Sequence, residues 1–165
     1  MKRVSTWLGV LVLLGGALLW TGAEGWGQAG AVKTLAAALS SSQEVPAPEG
    51  GVPAGAVGSA SLLFDPADNT LSFAVAYSGL NGPVTVAHFH AGAAGAPGGV
   101  VQTICGQPAP PLLGECPSGA NSGFLTGTWQ VPGELVGALL GGGLYINLHT
   151  AANAPGELRG QVWPQ

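Results

Sequence analysis

Residues 70–77 alternate strictly: Leu71, Phe73, Val75 and Tyr77 fall on one side, and Thr70, Ser72, Ala74 and Ala76 on the other. A period of two marks a strand with one buried face. Residues 56–65 alternate small and large side chains and end in Asp65-Pro66-Ala67-Asp68-Asn69. Asp and Asn side chains bond the backbone two residues on and Pro fixes φ, so this cluster predicts a turn and the two segments a hairpin. Further strand candidates recur at 34–40, 84–91, 98–105, 124–131, 144–150 and 157–163, most of them flanked by Gly or Pro. Gln43-Glu44-Val45-Pro46, with Pro48 and Pro53 beyond it, reads as an irregular, edge-like passage. Helical spacing appears once, in Leu135, Val136, Leu139 and Leu140, between Pro132 and Gly141-Gly142-Gly143. The expected fold is all-β: an antiparallel, Greek-key-like β-sandwich of about seven or eight strands with one short helix.

Composition supports that reading. Gly (29) and Pro (13) exceed a quarter of 165 residues, while charged residues are only 7%, too few for the polar faces of long amphipathic helices. The N-terminus differs from the rest. Lys2 and Arg3 precede an uncharged, Leu-rich stretch from Trp7 to Trp20, and small residues follow at Thr21-Gly22-Ala23. This is the layout of a secretory signal peptide, and the stretch is shorter than the ~20 residues of a spanning helix. The expected organisation is therefore a signal peptide at 1–23, a linker at 24–33 and one domain at 34–165. Cleavage near Ala29 or Ala31 is the alternative. The mature chain is expected to be secreted or periplasmic, with no stable membrane span.

Without Lys2 and Arg3, two cations (Lys33 and Arg159) face eight acidic residues. Two cations cannot neutralise a phosphate backbone or grip an anionic bilayer, which excludes nucleic acid as a partner. Cys105 and Cys116 are the only cysteines. In an exported chain such a pair predicts a structural disulfide, and their spacing does not match a C-x-x-C redox motif.

The three histidines carry the candidate chemistry. His88 and His90 are two apart within the 84–91 strand, so both imidazoles project from one face while Phe89 points the other way. His149 falls near the end of the 144–150 strand, on the face of Tyr145 and Asn147. If these strands are neighbours, three imidazoles converge, and neutral imidazole is a ligand for copper or zinc. The same spacing also suits histidines that only hydrogen-bond the Asn147 amide or loop carbonyls. Acidic residues do not accompany them, which disfavours calcium or magnesium. In the last strand Glu157, Arg159 and Gln161 share a face. Arg159 reads either as the partner of Glu157 or as a cation that guides an anion towards the histidines. A G-x-S-x-G elbow and a strand-to-helix phosphate loop are both missing.

Gln43-Glu44-Val45-Pro46, Gly79-Leu80 before His88-Phe89-His90-Ala91-Gly92, Tyr145-Ile146-Asn147-Leu148-His149-Thr150 and Gly156-Glu157-Leu158-Arg159-Gly160-Gln161-Val162 occur in this order. Together they resemble the CHRD domain family over about residues 34–164. The resemblance implies an extracytoplasmic β-sandwich of the kind found in the growth-factor antagonist chordin and in small exported bacterial proteins. The H-x-H segment, the late His149 and Arg159 are also similar in order to copper/zinc superoxide dismutase. That similarity implies copper ligands at His88, His90 and His149 and an anion guide at Arg159. The dismutase's bridging histidine and its zinc-binding His and Asp set have no counterpart in residues 91–99. The expectation is a non-catalytic binding module for a protein or matrix ligand, with a three-histidine metal site. The alternative is a copper-dependent redox enzyme.

Overall fold

The alternating segment forms β3 (Thr70–Ser78), paired antiparallel with β2 (Val57–Asp65) from Asp65↔Thr70 to Val57↔Ser78. The turn closes as its chemistry dictates: Ala67 N–H donates to Asp65 Oδ1, Thr70 N–H donates to Asp68 Oδ1, and Asn69 takes φ 61°. The structure is a computed structural model that describes residues 30–108 and 110–165. The expected signal peptide and most of the linker lie outside the described residues.

The other strands are β1 (Lys33–Leu39), β4 (Val84–Ala91), β5 (Gly99–Cys105), β6 (Gly123–Gln130), β7 (Leu144–Thr150), β8 (Leu158–Gln161) and β9 (Trp163–Pro164), with one helix, α1 (Gly133–Leu140). They make two antiparallel sheets, a five-stranded one in the order β6-β3-β2-β1-β9 and a four-stranded one in the order β5-β4-β7-β8. The described residues thus hold nine strands. The extra one arises because the run expected as a single strand at 157–163 divides. Its first part pairs with β7, the chain passes through buried Val162, and Ala36 and Leu35 of β1 then pair with Trp163 and Pro164. Proline has no N–H for a ladder, which suits this two-residue piece to the sheet edge.

The core lies between the sheets. Phe89 of β4 stacks on Trp129 of β6 (ring centroids 5.1 Å) and meets Phe73 of β3 edge-on at 5.4 Å. Leu144, Ile146 and Leu148 of β7 and Leu35, Leu62 and Phe64 of the opposite sheet are all buried. A disulfide joins Cys105 to Cys116 with the Cα atoms 4.9 Å apart. No helix among the described residues is long and apolar enough to cross a membrane.

One feature of the four-stranded sheet departs from a half-solvated antiparallel sheet. Every residue of β7 and β8 is buried, as are His88, Phe89 and His90 in succession on β4. The sheet's second face is therefore also covered. Loops supply the cover, and the polar side chains under them form the site.

Candidate metal centre

Strand register brings the histidines together. On β4 and β7, His88 lies opposite Asn147, His90 opposite Tyr145 and Val86 opposite His149, while Asn147 and Tyr145 also face Arg159 and Gln161 of β8. Directly opposed residues in a sheet share a face. His88, His90, Tyr145, Asn147, His149, Arg159 and Gln161 are thus one polar layer, opposite the face of Phe89 and Ile146. A register shift between Val84 and Val86 interrupts the ladder beside His149. The three histidines offer one nitrogen each, all within 4.8 Å of one another.

Each ring is held from outside by a loop carbonyl. His88 Nε2 donates to Gln107 O (3.0 Å), His90 Nδ1 to Gly98 O (2.9 Å) and His149 Nδ1 to Ala154 O (2.9 Å). A carbonyl oxygen only accepts, so these bonds put the ring proton of each neutral imidazole on its outer nitrogen. The inner nitrogens, His88 Nδ1, His90 Nε2 and His149 Nε2, are left as lone pairs. His88 Nδ1 and His149 Nε2 face each other at 3.2 Å, and buried His90 Nε2 has no hydrogen-bond partner. Two lone pairs at that distance repel unless a cation lies between them. A proton is disfavoured, because burial lowers the pKa of all three histidines, that of His149 to about 4. A soft or borderline metal ion fits the donors, and the outer carbonyls act as the orienting partners that ligating histidines commonly have.

His90 is the most elaborately fixed. Its ring stacks on Tyr145 (4.7 Å, planes 8° apart), and the Arg159 guanidinium lies 3.6 Å from the centroid of the same tyrosine ring. Gly98 N–H donates to Tyr145 Oη, and Gly98 O receives the His90 proton. Arg159 is 1% exposed and donates to Ala96 O, Ala93 O and Gln161 Oε1, which ties the 93–98 loop over the sheet. Pairing of Arg159 with Glu157 does not occur. Glu157 instead accepts from Asn81 N–H, the Thr150 hydroxyl and the Asn153 amide.

Glu44 was not evident as part of this layer from sequence. Its carboxylate accepts from Asn147 Nδ2 at 3.3 Å, and burial raises its pKa to about 7 against the opposing pull of Arg159 and of that hydrogen bond. Glu44 Oε1 and Asn147 Oδ1 are buried without partners. Beside it, Gln43 donates to Ala38 O and accepts from Gln161 N–H. The signal available in the sequence was the Gln43-Glu44-Val45-Pro46 segment itself, in a passage without periodicity.

The family model of the CHRD domain matches residues 35–162. The chain belongs to the CHRD domain family. Nothing among curated proteins or solved structures matches it. In this CHRD domain, most of the segments that carry the sequence resemblance meet in one layer, while Leu80 lies in the hydrophobic core. Gln43-Glu44, His88 to His90, Tyr145 to His149 and Gly156 to Gln161 all contribute to the polar layer or to the loops that cover it.

Proposed function

We propose that this CHRD domain is an exported, non-catalytic binding module that holds one copper or zinc ion on His88 Nδ1, His90 Nε2 and His149 Nε2. The observation that carries this reading is the carbonyl lock. Three outer N–H groups are committed to Gln107, Gly98 and Ala154, which turns three lone pairs inward within a small space. The ion would supply the positive charge that those lone pairs face. Arg159 acts here as a positioning residue, because its donors are committed to Ala93, Ala96 and Gln161 while its charge lies over Tyr145. Rings that are 6–8% exposed suit retention of an ion better than turnover of a substrate at it. Export is supported by the disulfide, which persists in oxidising compartments, and by the N-terminal sequence pattern.

The test is the metal content of the purified mature protein, with copper and zinc titrations of wild type and of His88→Ala/His90→Ala. The expected result is about one equivalent bound by wild type and none by the double variant. Wild-type protein that neither carries nor takes up copper or zinc would overturn the metal reading and leave a binding module for a protein or matrix ligand.

A further inference from the structure

We infer that this centre selects a univalent soft cation, Cu(I), over Zn(II) and Cu(II). The inference rests on the three-histidine metal site proposed above and adds the charge state of its ion.

The donor set is neutral. The ligand group formed by the described residues contains three imidazoles and no carboxylate or thiolate. An ion bound there keeps its whole charge, with no anionic ligand to offset it. The surroundings penalise that charge, because His88, His90 and His149 are 6%, 8% and 6% exposed. The cost of moving an ion out of water grows with the square of its charge, so a divalent ion pays about four times what a univalent one does in the same cavity.

A fixed positive charge adds to the penalty. Arg159 is among the largest fully buried side chains, and Tyr145 separates its guanidinium from the His90 ring. Repulsion between Arg159 and the ion doubles when the ion's charge doubles. Glu44 is hydrogen-bonded to Asn147 rather than to a histidine and is not a ligand of the ion.

Coordination number points the same way. Zinc in protein sites takes four ligands and Cu(II) prefers a tetragonal set, whereas Cu(I) is satisfied by two or three. The three loop carbonyls closest in role, Gln107 O, Gly98 O and Ala154 O, accept the outer imidazole protons. A fourth ligand would have to be water brought into a covered layer.

The experiment is a competition titration of the wild-type mature protein. Cu(I) is delivered anaerobically from a chromogenic chelator, Ag(I) serves as its closed-shell surrogate, and Zn(II) and Cu(II) are titrated in parallel. The expected result is one equivalent of Cu(I), displaced by Ag(I) and held at least about tenfold more tightly than either divalent ion. Nitrogen NMR of the Cu(I) form should keep the ring protons on His88 Nε2, His90 Nδ1 and His149 Nδ1. Zn(II) or Cu(II) binding as tightly as Cu(I) would overturn the univalent selectivity and leave the metal site standing. Failure of every ion to bind would overturn both. Ring protons on the inner nitrogens of the loaded protein would overturn the three-lone-pair geometry on which the selectivity depends.

Discussion

His149 and Glu44 are buried ionisable groups whose effects on stability run in opposite directions with pH. The His149 pKa is lowered by burial to about 4, and burial lowers those of His88 and His90 as well. The stability these neutral rings contribute to the metal-free protein is fully present above the unfolded value near 6.5 and is lost as pH falls through the folded values. Glu44 is raised to about 7 by burial, so its contribution is fully present below about 4.5 and is lost as pH rises through 7. Thermal melts of the metal-free protein should therefore show a falling Tm on both sides of a maximum. Glu44→Gln keeps an acceptor for Asn147 and should flatten the alkaline side while leaving the acid side in place; an unchanged alkaline slope would remove Glu44 as its cause. These two residues also differ in how far the sequence reveals them. Strand alternation alone puts His88 with His90 and His149 with Asn147. Glu44 stands in a Pro-interrupted passage where no period assigns it a face, and its partner Asn147 is 103 positions away.

At the scale of elements, the short loops are ligand-orienting devices as much as connections. Gln107, which receives the His88 proton, is two residues past Cys105, inside the segment closed by the disulfide. Cys105→Ser/Cys116→Ser should lower stability by ~2–4 kcal/mol, read by denaturant unfolding. It should also weaken metal retention, because the Gln107 carbonyl loses its anchorage. Retained affinity in that variant would show that the Gln107 bond does not orient His88. Gly98 is more constrained still: a Cβ there would run into the Ala91 carbonyl oxygen, on backbone that cannot step aside. Gly98→Ala should therefore displace the carbonyl that fixes His90 and reduce metal binding, while Gly95→Ala, where a Cβ meets open space but the backbone has φ 76°, should cost stability without that loss. Sequence periodicity is sufficient for the strands because each has one face in the core. It fails at the last segment, where β8 and β9 continue one strand-like stretch but belong to different sheets. It fails again for the coverage of the second face of β7, since the covering loops have no periodicity of their own.

For the whole molecule, the site and the core are two faces of the same strands. Phe89 packs on Trp129 and Phe73 across the sandwich, while its neighbours His88 and His90 point into the polar layer. The ligands come from β4 and β7, 61 positions apart at His88 and His149, so an unfolded chain holds no comparable constellation. An ion that binds only the folded state stabilises it by mass action, by ~2.7 kcal/mol at a free concentration a hundred times its dissociation constant. For a domain of this size that corresponds to a Tm increase of roughly 5–15 °C. His88→Ala/His90→Ala should show no such increase while remaining cooperatively folded, because the core on the Phe89 face is intact. If wild type bound the ion at one equivalent without a rise in Tm, the folded and unfolded chains would have equal affinity for it. The centre would then owe nothing to the sandwich, contrary to the long-range register that brings its three histidines together.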